Sequence, residues 1–146
     1  MNKQIAIASD HAGYEMKLAI IQHLKEKGYS VEDLGTDSPE AVDYPDFGHP
    51  LADKVEKGIY QVGISLCGSG NGINMVTNKH QGIRGALCWN REIARLAKSH
   101  NDANICSLPA RFISLDQAKE IIDIFLETSY EGGRHQERIE KIPIHT

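Results

Sequence analysis

Short apolar runs alternate with longer segments of helical spacing along almost the whole chain, and this alternation limits the possible folds more than any other feature. Ile5-Ala6-Ile7-Ala8 reads as a buried strand; Met16, Leu18, Ala19, Ile20, Ile21 and Leu24 then recur at helical spacing up to Gly28. Tyr29 to Leu34 predicts a second strand, ended by Gly35. A polar loop from Thr36 to Phe47, with Pro39 and Pro45, leads to a helix through Leu51, Ala52 and Val55. Val62 to Leu66 predicts a third strand, which meets the run Gly68-Ser69-Gly70-Asn71-Gly72, where a helix opens. Ile83 to Cys88 predicts a fourth strand, Arg91 to Ser99 a helix, and Ala103 to Leu108 a fifth strand. Ser114 is placed to cap a helix with Asp116 and Gln117 in its first turn. Gly132-Gly133 breaks that helix, and Arg134 to about Lys141 forms the last one. Strands that are apolar on both faces and alternate with helices mean a parallel sheet covered by helices.

At 146 residues the chain is long enough for one core and too short for two. The expected fold is therefore one α/β domain over residues 1–146. It is a Rossmann-like three-layer sandwich with a five-stranded parallel sheet flanked by helices and a C-terminal helix. A net charge of -4 argues against a general nucleic-acid binder, which carries a basic surplus. No apolar stretch is long enough to span a bilayer, and no basic segment followed by a cleavable apolar one precedes the first strand. Cys67, Cys88 and Cys106 are odd in number and widely spaced, which suits free thiols in a reducing cytoplasm. With no CxxC pair and no HExxH helix, a structural or hydrolytic zinc site has little support.

In a parallel sheet, ligands bind outside the carboxyl ends of the strands, so the residues that follow each strand carry the functional information. Ser9, Asp10, His11, Ala12 and Gly13 follow the first strand; Asp43, Tyr44 and Asp46 lie in the loop after the second. Cys67 and the glycine run follow the third, and Arg111 follows the fifth. Alternating glycines let successive N–H groups approach a ligand, and the start of a helix favours negative charge there. The same field favours a thiolate at Cys67. A thiolate beside N–H donors suits proton abstraction next to a carbonyl, with the donors holding the enediolate oxygen. Each part also has a plain structural reading. The run is GxGxG rather than GxGxxG and can be a tight turn; Cys67 can be a small buried hydrophobe, the role assigned to Cys88 and Cys106. A CxxxxxR phosphatase loop fails, because Ile73 stands at its closing position. Asp10 and His11 can cap the first helix, and His100 can cap the end of the Arg91–Ser99 helix, where the dipole favours its charged form. Arg134 and Arg138, four apart, share a helix face that fits either a phosphate or pairing with Glu137 and Glu140.

Taken together, SDHAG (Ser9 to Gly13), DYPDF (Asp43 to Phe47), CGSGNG (Cys67 to Gly72), Asn78-Lys79, SHNDAN (Ser99 to Asn104) and GGRHQERI (Gly132 to Ile139) resemble the B-type ribose-5-phosphate isomerases. That family includes galactose-6-phosphate isomerase subunits, so the resemblance specifies the reaction type more closely than the sugar. It implies that Cys67 carries the proton between C2 and C1 of the open-chain sugar. Ser69, where many members have Thr, would assist with its hydroxyl. Gly68, Gly70, Asn71 and Gly72 would form the substrate loop, with the last three around the enediolate. Members that lack the cysteine use a Glu just after the loop, where this chain has Ile73. By the same resemblance Asp10 and Tyr44 contact substrate, and His100 with Asn101 opens the furanose ring. His11, Arg111, Arg134 and Arg138 would bind phosphate. The glycine loop, which the residues alone would have offered to the phosphate, is thereby left to the enediolate.

His100 precedes the fifth strand, whereas Cys67 ends the third, so the two belong at opposite edges of one sheet. A site using both needs two subunits, which predicts a homodimer or tetramer with a shared active site. The expected protein is a cytoplasmic isomerase interconverting D-ribose 5-phosphate and D-ribulose 5-phosphate, with no metal or other cofactor and no nucleic-acid or membrane partner. An isomerase of a six-carbon sugar phosphate is the alternative within the class. A non-catalytic sugar-phosphate sensor is the alternative outside it.

Overall fold

The isoleucines and alanines of the first strand show how the layers form. Ile5 and Ile7 point to one face and Ala6 and Ala8 to the other, and all four are fully buried. A strand buried on both sides needs helices above and below it. The computed structural model describes residues 4–144. The strands are β1 (Gln4–Ser9), β2 (Ser30–Asp33), β3 (Val62–Cys67), β4 (Gly85–Leu87) and β5 (Ile105–Pro109). The helices are α1 (Tyr14–Glu26), α2 (Pro45–Glu56), α3 (Asn71–Thr77), α4 (Arg91–Ser99), α5 (Leu115–Glu127) and α6 (Arg134–Glu140). A 3-10 turn over His11–Gly13 joins β1 to α1.

All four strand pairings are parallel, in the order β2-β1-β3-β5-β4. On one face Ile5, Ile7, Ile64, Leu66, Cys106 and Leu108 pack under Ile20 and Leu24 of α1, Ala94 and Ala97 of α4, and Ile121, Ile122 and Phe125 of α5. On the other, Ala6, Ala8 and Ile105 pack under Leu51, Ala52 and Val55 of α2. Each fully buried Ile or Leu removes enough apolar surface from water to contribute about 1.5–3 kcal/mol. The three-layer α/β expectation holds.

The edges depart from the sequence reading. β2 is shorter than Tyr29–Leu34 and mostly exposed, with only Val31 half-buried. Its place at the sheet edge, rather than its composition, explains this, since one flank has no neighbouring strand. β4, the other edge strand, has only three residues, and the Asn78 side chain takes the place of a neighbouring strand at Gly85. Its Oδ1 accepts from the Gly85 N–H and its Nδ2 donates to the Gly85 carbonyl, both at 2.9 Å. Helix α5 stops at Glu127, well before Gly132-Gly133. There Thr128 turns extended and its hydroxyl donates back to the Ile124 carbonyl at 2.7 Å. The Ser114 cap is present as a reciprocal box with Gln117.

Candidate active site

Strand order reverses at β1, whose connections run outward to β2 on one side while β3 lies on the other. The crevice at such a switch point lies between the carboxyl ends of these two strands. Those ends are Ser9-Asp10 and Leu66-Cys67, with Ser9 in register with Leu66 and Cys67 with Pro109. The Asp10 N–H donates to the Leu66 carbonyl at 3.3 Å, which continues the ladder past the end of β1. On the other flank the Ala110 N–H donates to the Cys67 carbonyl and the Arg111 N–H to the Gly68 carbonyl, each at 3.0 Å. Three loops are thus joined by main-chain bonds around one thiol, which is 5% exposed.

The side chains follow from that framework. A Cβ on Gly68 would lie 3.4 Å from Arg111 Nη1 and 3.7 Å from Ala12 Cβ, so the guanidinium lies across the glycine loop. Gly70 adopts φ +77°, and a Cβ there would meet Leu87 Cδ1 at 2.5 Å and the Leu108 carbonyl carbon and oxygen at 3.1 Å. Only glycine combines that backbone with that closeness. A Cβ on Gly72 would lie 2.6 Å from Tyr44 Cζ, which shows how closely the phenol covers the start of α3. The Ser69 hydroxyl accepts from the Asn71 N–H at 3.2 Å, fixing the loop's own turn.

Asp10 does cap the following turn, as one sequence reading allowed. Its Oδ1 accepts from the Ala12 and Gly13 N–H groups at 2.9 and 3.3 Å, and the residue is 7% exposed. His11 Nδ1 accepts from the Val42 N–H at 3.1 Å, so the neutral ring carries its proton on Nε2 as a donor. This bond also ties the polar loop before Tyr44 to the end of β1.

Asp10, His11, Tyr44, Cys67, Gly68, Ser69, Gly70, Asn71, Gly72 and Arg111 therefore come together at the carboxyl edge. His100, Asn101, Arg134 and Arg138 do not. His100 ends α4 and precedes β5, at the amino edge. From the level of Ile105 to that of Pro109 alone, the sheet spans about 13 Å. Arg134 and Arg138 are exposed on α6.

The second group has an organisation that the sequence reading missed. The Glu131 N–H donates to the Ser99 carbonyl at 3.0 Å, bringing the segment before α6 against the end of α4. The His100 ring then stacks on the His135 ring, with centroids 4.3 Å apart and planes 18° from parallel. Glu131 Oε1 lies 3.9 Å from His100 Nε2 and 3.5 Å from His135 Nε2. No local motif announces this cluster, because two of its members are about thirty residues from the third. His49 Nδ1 and His80 Nε2, 2.8 Å apart, form a second histidine pair that the sequence did not suggest. Cys88 and Cys106 are buried as expected, and the Cys106 thiol is raised well above the usual thiol range by the adjacent Cys88 thiol and by burial.

An α/β domain with a thiol, an imidazole and a guanidinium at the switch point of its sheet is built to bind a small ligand. Residues 5–142 match the Ribose/Galactose Isomerase family. The chain is 43% identical over 140 residues to ribose-5-phosphate isomerase B of Escherichia coli, covering 96% of this chain and 94% of that one. The structure of a ribose 5-phosphate isomerase from Thermotoga maritima superposes with a TM-score of 0.95 at 48% identity, over 97% of each chain. Ribose-5-phosphate isomerase B of Mycoplasma genitalium, solved with bound ribulose-5-phosphate, gives 0.92 at 45% identity over 95% of this chain and 93% of that one. The chain belongs to the Ribose/Galactose Isomerase family.

Proposed function

We propose that this protein interconverts D-ribose 5-phosphate and D-ribulose 5-phosphate through an enediolate. The observation that carries the proposal is the convergence of Cys67, His11 and Arg111 at one crevice in a chain of this family. His100 with Asn101 opens the furanose ring. The Cys67 thiolate then removes the proton from C2, and the N–H donors of Gly70 to Gly72 hold the enediolate oxygens. Cys67 returns the proton to C1 while the hydroxyl proton passes from O2 to O1, a transfer the Ser69 hydroxyl serves. His11 and Arg111 bind the phosphate from one subunit, and Arg134 and Arg138 from the other. Asp10, through the carboxylate oxygen not used in capping, and Tyr44 contact the sugar. The donors supply the charge stabilisation, so the reaction is assigned no metal or other cofactor.

The separation of Cys67 from His100 supports a homodimer in which His100 of the partner subunit completes each site. Trp89 and Phe112, which follow β4 and β5 at the carboxyl edge and are 55% and 76% exposed, offer apolar surface for such an association. Among the described residues no helix is long and apolar enough to cross a membrane. The three free thiols favour the cytoplasm as the compartment. Conversion of ribose 5-phosphate by the purified protein in excess EDTA, beside Cys67→Ala, tests the chemistry. Turnover lost only in the variant supports it; turnover confined to six-carbon phosphates moves the assignment to that substrate class, and binding without turnover makes the protein a sensor. Mixing inactive Cys67→Ala and His100→Ala chains under subunit exchange tests the shared site, since one intact site per mixed dimer restores activity.

A further inference from the structure

His100, Glu131 and His135 place one ring nitrogen each and a carboxylate oxygen within 4.8 Å of one another. No hydrogen bond among the described residues joins either ring to the carboxylate, although it faces both at 3.9 and 3.5 Å. Three ligand-type atoms thus converge at ion-pair distances. His135 is 8% exposed, which leaves that imidazole largely shielded from bulk water. Two imidazoles and a carboxylate are a common donor set for zinc. Around a tetrahedral ion with bonds of about 2.0–2.1 Å, neighbouring ligand atoms lie about 3.3 Å apart; the two imidazole–carboxylate spacings need only a small contraction, and the two ring nitrogens lie within 4.8 Å of each other.

We propose that His100, Glu131 and His135 form a Zn2+ site and that occupation of it switches the isomerase off. The stacked rings have nearly parallel lone pairs, so one ring must turn for both to meet an ion. His100, at the end of α4 with its side chain 37% exposed, has the freedom to do so. Coordination takes the His100 lone pair and pulls the ring away from the geometry that serves ring opening. The fourth position stays open to water or to a substrate oxygen. The inhibitory part rests on the role given to His100 under the proposed function; the binding part stands on the geometry of the cluster alone.

Calorimetric titration of the full-length, EDTA-treated protein with Zn2+ tests the site. One ion per chain is expected, with binding more than about tenfold weaker in both Glu131→Ala and His135→Gln. His80→Ala, which disrupts the separate histidine pair, should leave the isotherm unchanged. Turnover followed through the same titration should fall with occupancy and return with EDTA. Unaltered binding in Glu131→Ala and His135→Gln would place the ion elsewhere, Cys67 included, and overturn the site. Binding at the cluster with undiminished turnover would overturn the switch. A protein inactive even before zinc is added would defeat the isomerase assignment, and the variant isotherms would still decide the metal site.

Discussion

Gly70 and Gly58 share a backbone φ of +77° but differ in what surrounds them, and that difference yields a quantitative prediction. A Cβ on Gly58, just past the end of α2, meets nothing within 4 Å. Gly58→Ala therefore carries only the left-handed strain of about 1–2 kcal/mol, reduced by about 0.4–1 kcal/mol because alanine narrows the unfolded ensemble. A net loss of about 1 kcal/mol follows. Gly70→Ala carries the same strain and adds a methyl 2.5 Å from Leu87 Cδ1 and 3.1 Å from the Leu108 main chain. The leucine tip can move, but the Leu108 backbone is central in the sheet and cannot. Overpacking of this kind costs about 1–3 kcal/mol, so Gly70→Ala should lose about 2–4 kcal/mol in all. In urea, where such a chain has a slope of about 1–3 kcal/mol per molar, the two midpoints should differ by roughly 1 M. The loop must also shift by a few tenths of an ångström, so turnover of ribose 5-phosphate should fall about tenfold in Gly70→Ala and stay unchanged in Gly58→Ala. Equal midpoint shifts for the two variants would refute the reasoning, since they would show that the Leu108 backbone is no barrier.

Replacing Cys67 by alanine should lower kcat by about 10³-fold while moving the unfolding midpoint little, because the thiol is the smallest part of a well-packed strand end; retained activity in a steady-state assay would end its role as base. Asp33→Asn should cost about 2–3 kcal/mol in urea unfolding. It leaves the fully buried Lys17 ammonium, now held by both Asp33 oxygens at 2.7 and 2.8 Å, without its counter-charge. The figure sits below that for a fully buried pair because the Asp33 side chain is 39% exposed. The raised thiol of Cys106 makes stability fall in alkali. The unfolded thiol ionises from about pH 8.5 while the folded one keeps its proton, so unfolding releases a proton and stability declines as pH rises, by up to about 1.4 kcal/mol per unit; Cys106→Ala should flatten that decline between pH 8 and 10. Loss of the capping box in Ser114→Ala should cost about 1 kcal/mol, read as a lower melting temperature.

The fold was legible because burial on both faces of a strand and the helical spacing after it are local patterns. Ile5 to Ala8, Met16 to Leu24 and Arg91 to Ser99 needed no distant contact to be recognised. The edges were not legible. Val31 reads like any strand residue, and only its position beside β1 with no strand beyond it makes β2 exposed. The carboxyl-edge half of the site could be read from the residues that follow β1, β3 and β5, since parallel strands bring those loops to one side. His135 could not, because its neighbours in space, His100 and Glu131, come from another helix and from an extended segment that the sequence reading had placed in α5.

Sequence alone determined the layer architecture, the glycine loop and the thiol ahead of it, since each depends on residues adjacent in the chain or repeating with a fixed period. Tertiary structure decided which strands are edges, that Asp10 and His11 have one acceptor each committed to main-chain N–H groups, and that Arg111 lies across Gly68. Strand order places β2 and β4 at the edges, and strand order follows from how the helices pack, which no local pattern encodes.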